Sequence, residues 1–255
     1  MSTWVLLRGL TRESRHWGDF AQTLGQELPD ANVVALDLPG SGRLYRCKSP
    51  SRIEEMAAQC RKNLLAQGHT PPYYLLAMSL GAMVAVCWAS RHPEELLGCV
   101  LINTSLRPFS PFYRRLRPAN YATLFALALR GPKAAQREEA ILQMTSRLTR
   151  SRAAQVLSQW HDLARENPVS RANALRQLLA AARYSAPSEK PRPPLLILAS
   201  AADALVDPRC SRRLAACWNC GILEHPTAGH DLPLDDGPWV ASKVRQWVQH
   251  TRPRS

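Results

Sequence analysis

Three side chains in this sequence have the types and the chain order of an acyl-transfer catalyst: Ser79, Asp203 and His230. The stretch Tyr73-Tyr74-Leu75-Leu76-Ala77-Met78-Ser79-Leu80-Gly81-Ala82 is an apolar, strand-like run that passes directly into helical spacing, with a serine at the corner. A serine hydroxyl is a weak nucleophile until a neighbouring base takes its proton, and a sharp strand-to-helix turn presents it for attack. Such a turn is strained, so the residues two before and two after the serine must be small for strand and helix to pass closely. Ala77 and Gly81 meet that demand. The amide of Leu80 opens the helix and is expected to serve as one oxyanion donor, because the first amides of a helix have no intrahelical acceptor.

A base for this serine is expected late in the chain. Pro226-Thr227-Ala228-Gly229-His230-Asp231-Leu232-Pro233 follows the last strand-like run and precedes the last helical one. That places His230 on a loop at the carboxyl end of the sheet, where open α/β sheets carry their sites. The imidazole in turn needs a carboxylate to hold its tautomer and stabilise its charged form. The segment 195–208 offers two. Asp203, just past the end of an apolar run, is the expected partner, whereas Asp207 beside Pro208 stands where a helix cap belongs.

Elements that position these residues are legible as short Val, Leu and Ile runs alternating with longer helical periods, the pattern of βα units feeding a mostly parallel, doubly covered sheet. Six strands are expected, at 4–8, 33–38, 73–78, 99–103, 195–200 and 221–225, with helices at 17–26, 51–66, 80–91, 208–217 and 239–249. Between 103 and 195 lie about ninety residues of helical periodicity without a strand signal, where an inserted lid belongs. Within it 106–121 is an irregular lead-in, helices are expected at 124–129, 136–148, 153–165 and 170–184, and the proline-rich 184–194 is a stiff linker. The expected division is therefore a core of 1–105 and 186–255 with a helical cap of 106–185.

The serine, aspartate and histidine segments, in this order and on these strand ends, resemble the α/β-hydrolase superfamily over nearly the whole chain. Arg8-Gly9-Leu10 stands where many members carry His-Gly-x after the first core strand, and Asp37-Leu38-Pro39-Gly40-Ser41-Gly42 is similar to the family's D-x-P-G-x-G loop. The resemblance implies an α/β-hydrolase fold, a Ser79-Asp203-His230 triad, and the Leu10 amide as second oxyanion donor beside that of Leu80. Three departures stand out: Arg8 for the histidine, Ala77 for the first elbow glycine, and no opening hairpin. The implied activity is hydrolysis of a carboxylic ester or thioester through an acyl-enzyme, with no metal or organic cofactor. A lyase, perhydrolase or acyltransferase on the same scaffold would use the same three residues, and a hormone-receptor-like binding protein would keep the pocket alone.

Substrate contacts are expected from Arg8, whose guanidinium suits an anionic group, and from Met78, Phe109, Phe112 and Tyr113, with Tyr121, Phe125 and Trp160 as further candidates for an acyl pocket. Arg114, Arg115, Arg117, Arg147, Arg150 and Arg152 offer a grip for a carboxylate or an acidic carrier, though solvated faces need no such role. The substrate is accordingly expected to be a small acyl compound, anionic or carrier-bound.

Composition narrows the remaining classes. With 255 residues, 45% hydrophobic and 21% charged, the chain has the makeup of one soluble globular domain. The formal charge of +13 is spread along the sequence and is accompanied by no nucleic-acid-binding signature, so nucleic acid is not the expected partner. No apolar run is long enough to span a bilayer and no leader has room at the start. Seven scattered cysteines indicate free thiols and a cytoplasmic protein. Cys217-Trp218-Asn219-Cys220 has a metal or redox spacing, but it lacks a second ligand pair and spans a helix end and a strand start, so no metal site is expected there.

Overall fold

The computed structural model describes residues 2–130 and 134–251. Six strands, β1 (Ser2–Leu7), β2 (Ala31–Leu36), β3 (Tyr73–Met78), β4 (Leu96–Ile102), β5 (Leu195–Ser200) and β6 (Gly221–His225), form one sheet in the order β2-β1-β3-β4-β5-β6. Every pairing is parallel. The helices are α1 (Phe20–Glu27), α2 (Ile53–Ala66), α3 (Leu80–Arg91), α4 (Phe112–Arg115), α5 (Tyr121–Arg130), α6 (Ala134–Thr145), α7 (Arg150–Glu166), α8 (Arg171–Arg183), α9 (Arg209–Trp218), α10 (Leu232–Asp235) and α11 (Gly237–Thr251). No helix among the described residues is long and apolar enough to cross a membrane.

Alternation along the strands divides the core between the two faces of the sheet. Val5 and Leu7 of β1, with Tyr73, Leu75 and Ala77 of β3, pack with α2, α3 and α9; Trp4 and Leu6, with Tyr74, Leu76 and Met78, pack with α1 and α11. A strand covered on both sides must be apolar throughout, as all six residues of β3 are. Helix α3 is apolar around nearly its whole circumference for the same reason, being buried from Leu80 to Ala89. The edge strand β6 instead leaves Glu224 at the surface, paired with Arg212 of α9, a charge that blunts an open edge.

Strands β1, β2 and β4 start two or three residues before the expected bounds, at Ser2, Ala31 and Leu96. Ladder pairing such as Ser2 with Ala31 depends on backbone groups and tolerates any side chain, so hydropathy underestimates it. The same strands end sooner, which leaves Arg8, Leu38 and Asn103 in the loops beyond them. The helix expected at 17–26 divides into a 3-10 turn (Ser14–Trp17) and α1, because Gly18 takes φ +52° between them. Helix α4 arises inside the lead-in expected to be irregular.

The strand order changes direction at β1, which lies between β2 and β3. A crevice opens at such a point beyond the carboxyl ends of the two strands. Gly9 follows β1 and Ser79 follows β3, so this crevice separates the two loops that the sequence singled out.

Candidate active site

Ser79 occupies the corner between β3 and α3 with φ +53° and ψ −114°, a conformation that costs an L-residue roughly 1–3 kcal/mol and persists only where the surroundings enforce it. Its amide donates to the Ile102 carbonyl at the end of β4 (3.0 Å), and its carbonyl accepts from Ala82 and Met83, which seats the first turn of α3. Close passage of this turn over β1 requires the glycine at 81: a Cβ there would lie 2.4 Å from the Leu7 carbonyl oxygen and 2.6 Å from that of Arg8. On the other side of the crevice, a Cβ at Gly9 would stand 3.3 Å from Ser79 Cβ and 3.7 Å from its Oγ. The turn after β1 therefore lies against the serine. Among the described residues the amides of Leu10 and Leu80 donate to no protein acceptor.

The turn bearing Leu10 is held by polar contacts from a distant helix. Arg12 donates its amide to the Gly9 carbonyl (3.2 Å), and Thr11 takes φ +57°. The Thr11 amide donates to Oε1 of Gln177 on α8 (2.9 Å), whose Nε2 donates to Ser41 Oγ (3.0 Å) and the Pro39 carbonyl (3.3 Å). Gln177 is completely buried, so it joins the loops after β1 and β2 to one rigid amide group.

Asp203 and His230 meet across the loops after β5 and β6. His230 donates from Nδ1 to Asp203 Oδ2 at 2.7 Å, and both side chains are buried. The other carboxylate oxygen accepts the amides of Leu205 (2.8 Å) and Val206 (2.9 Å), which orients the group. An ionised carboxylate only accepts, so Nδ1 carries the proton and Nε2 keeps its lone pair. Burial is the largest influence on this imidazole and opposes its charged form. The charge and hydrogen bond of Asp203, with the charge of Asp231, outweigh it and raise the pKa above 6.5. Asp207 instead chelates Arg209 and accepts the Arg209 amide at the start of α9, one residue before the N-cap position, which Pro208 occupies.

His230 and Ser79 hang from neighbouring residues of one strand end. Ile102 accepts the Ser79 amide, and the buried Asn103 donates from Nδ2 to the His230 carbonyl (2.7 Å) while its Oδ1 accepts the Ser200 amide (2.8 Å). The Ser79 hydroxyl makes no hydrogen bond to His230 among the described residues; in sites of this kind that bond is often long before a substrate is bound. Asn103, Gln177, Asp231 and Asp235 all support the site and none stood out in the sequence. Asn103 had a readable signal, an amide ending an otherwise apolar strand.

Expected substrate contacts are placed differently. Arg8 is fully buried and donates to both oxygens of Asp231 (3.0 and 2.5 Å), so its guanidinium is not presented to an anionic substrate. Met78 is buried with the residues facing α1 and α11, its sulfur 3.8 Å from Arg8 Nη1, which places it in the core rather than in a pocket. The ring of Phe109 packs edge-on against Trp218, and Phe112 and Tyr113 meet edge-to-face at the surface, 72% and 48% exposed. Tyr121 and Phe125 are also exposed, while Trp160 lies under the Arg12 guanidinium in a small apolar cluster with Leu142 and Val156.

Several of the arginines weighed as an anion grip or as solvated surface donate to backbone. Arg117 reaches the Asp203 carbonyl (2.9 Å), Arg147 that of Ala202 (3.1 Å), Arg115 that of Ala181 (2.7 Å) and Arg152 that of Leu234 (3.1 Å). The carbonyls of Ala202 and Asp203 lie in the loop after β5 and those of Ala181 and Leu234 in the last turns of α8 and α10, where helix carbonyls lack an intrahelical donor. Elsewhere, His92, Glu94 and Glu95 bring three potential ligand atoms within 4.8 Å of one another, yet Glu95 is already held by Arg61 and the Trp88 indole.

Comparison with known proteins places this chain in a family. A model of the Alpha/beta hydrolase family matches residues 4–243. The chain is 35% identical over 107 residues to a biotin biosynthesis bifunctional protein of Teredinibacter turnerae, covering 41% of this chain and 17% of that one. It is 31% identical over 97 residues to 2-succinyl-6-hydroxy-2,4-cyclohexadiene-1-carboxylate synthase of Enterobacter, covering 38% and 35%. It is 34% identical over 92 residues to a pimeloyl-[acyl-carrier protein] methyl ester esterase of Chromobacterium violaceum, covering 36% and 34%. These matches span about a third or less of each relative's length. Among solved structures, an enol-lactonase from Burkholderia xenovorans superimposes with a TM-score of 0.79 at 18% identity, covering 97% of this chain and 91% of the other, a likeness of fold.

Proposed function

We infer that this chain, which belongs to the alpha/beta hydrolase family, is a serine hydrolase that cleaves a carboxylic ester or thioester through an acyl-enzyme. The observation that carries this reading is the Nδ1-to-carboxylate bond of His230 and Asp203 (2.7 Å), held on the strand end that also takes the Ser79 amide. His230 Nε2 takes the hydroxyl proton as Ser79 Oγ attacks the acyl carbon, and Asp203 stabilises the imidazolium that results. The unpartnered amides of Leu10 and Leu80 receive the oxyanion, each donor lowering the barrier by roughly 3–4 kcal/mol. His230 then returns the proton to the leaving group, the acyl-enzyme remains on Ser79, and a water activated by the same imidazole releases the acid.

The helices between β4 and β5 are assigned the role of a cap, 106–185, set over a core of 1–105 and 186–255; they touch the loop after β1 through Gln177 and the loop after β5 through Arg117 and Arg147. A small acyl substrate is the reading best supported by the named activities of the relatives, one of which acts on a carrier-bound ester. All seven cysteines are unpaired, which supports a cytoplasmic setting.

Fluorophosphonate labelling of the purified protein tests the reading directly. Wild type is expected to be labelled on Ser79 and Ser79→Ala to be silent. Absence of labelling in folded wild-type protein would overturn the assignment. A panel of nitrophenyl esters and acyl thioesters then ranks leaving group and chain length by kcat/KM.

A further inference from the structure

Arg8 and Asp231 are 223 positions apart in sequence and meet as a two-bond ion pair, with side chains 1% and 2% exposed. Arg8 immediately precedes Gly9 and Leu10, and Asp231 immediately follows His230. Resting on the reading of His230 as general base, we propose that the Arg8–Asp231 pair is a positioning device that locks the oxyanion loop to the base loop and keeps the surroundings of the imidazole electrically balanced.

Geometry supports the locking role. A guanidinium that meets a carboxylate with two parallel bonds fixes angle as well as distance. The Arg8 group also lies over the Trp17 ring, 4.8 Å from its centroid, and 3.8 Å from the sulfur of Met78, the residue before Ser79. Asp231 is held from behind by its amide, which donates to the Thr145 carbonyl of α6 (2.7 Å). One cation thus touches the three segments that carry Leu10, Ser79 and His230. Burying such a pair stabilises a fold little relative to an apolar pair of equal volume, so its effect is looked for in what it holds in place.

Charge supports the balancing role. The groups facing His230 are Asp203 from the loop after β5, Asp231 on its own loop and Arg8 from the loop after β1. Further out, Asp235 of α10 accepts the Gly229 amide, and Arg117 and Arg147 from the insert donate to the carbonyls of Asp203 and Ala202. His16, near Arg8, is kept neutral by burial and by the charges of Arg12 and Arg8. With Arg8 neutralised, two carboxylates would bracket one imidazole and hold it protonated; with Asp231 neutralised, a bare guanidinium would oppose its protonation.

The test compares Arg8→Gln, Asp231→Asn, Arg8→Lys and the double variant Arg8→Gln/Asp231→Asn with wild type. Two quantities are read: the acidic limb of kcat/KM on a nitrophenyl ester, and the ring titration of His230 by NMR, assigned by its loss in His230→Gln. Arg8→Gln should move both upward and Asp231→Asn both downward, each by roughly half to one pH unit. The double variant should return the limb to within about 0.3 unit of wild type yet keep kcat lowered about tenfold, since the lock is gone. Arg8→Lys should hold the limb and lose part of kcat with KM little changed. Same-direction shifts in the two single variants, or a double variant with wild-type kcat, would overturn the proposal. If a single variant does not fold, the double variant and Arg8→Lys still decide it. Because the NMR titration needs no turnover, it reads the pair even if Ser79→Ala were to retain activity and the hydrolase reading were to fail.

Discussion

The sheet and the helical insert are held together by different physics. In the sheet, β3 and α3 bury apolar side chains on all sides and the strength of the region is surface removed from water. In the insert that burial is uneven: Leu106, Ala180 and Tyr184 join the main core and Leu142, Val156 and Trp160 form a small cluster of their own, whereas residues 121–127 of α5 include none that is buried and Phe125 is two-thirds exposed. The insert is also joined to the loops of the site by directional bonds: Arg117 donates to the Asp203 carbonyl and Asn120 to that of Ala204 (2.8 Å), the Thr11 amide donates to Gln177, and Arg12 and Glu138 form a buried pair (2.6 Å). Those bonds end on the loops that carry Leu10 and Asp203. Apolar burial is insensitive to angle, whereas a hydrogen bond transmits orientation. Changes in the sheet should therefore register as lost stability, and changes at the insert's contacts as lost rate.

The largest expected effect separates the site from both regions. Asp203→Asn should lower kcat by about 10⁴ with near-wild-type thermal stability, because the imidazole loses its tautomer and its partner. A fall of less than tenfold would remove Asp203 from the mechanism. The same pair fixes the pH response. With His230 raised above its ordinary value, kcat/KM should fall on acidification with an apparent pKa above 6.5, as the base becomes protonated. The sign for stability is opposite: the raised pKa contributes stability that is complete below about 6.5 and is lost as pH rises through the folded-state value. Urea unfolding at several pH values measures it.

Next in size, Leu75→Ala at the centre of β3 should cost roughly 2–5 kcal/mol in urea unfolding and leave kcat per folded molecule within about twofold. Gln177→Ala should show the reverse emphasis. It leaves the Thr11 amide without its acceptor, for a loss of roughly 1–3 kcal/mol, and should lower kcat about tenfold with a smaller change in KM, as the oxyanion turn loosens. Equal losses of stability and no change in kcat would show the insert to be packing alone. The smallest effect is expected from Arg147→Ala, an exposed contact to the Ala202 carbonyl worth about 0.5 kcal/mol or less, and within about threefold in kcat.

Legibility in the sequence followed the same boundary. The six strands, their place in a parallel sheet and the corner at Ser79 were readable because apolar periodicity and small-residue spacing are local. The preference for Asp203 over Asp207 rested on distance from the strand end, and the structure sets Asp203, not Asp207, against His230. The partners of the arginines were not legible, for a physical reason. A guanidinium is equally suited to a ligand carboxylate, a neighbouring Asp231 or a stray carbonyl, and only the folded chain says which is within reach. The exposure of the lead-in aromatics was equally hidden, since only the folded chain leaves Phe112 and Tyr113 at the surface.

Local grammar along the chain determined the layered fold, the placing of Ser79, Asp203 and His230 after β3, β5 and β6, and the small residues that let α3 pass over β1. The tertiary structure alone decided which polar groups meet: Arg8 with Asp231, Gln177 with Thr11, and Asn103 with His230. Hydropathy and turn preference act between near neighbours in sequence, whereas these partnerships join residues more than a hundred positions apart and depend on angles that arise only once the sheet has assembled.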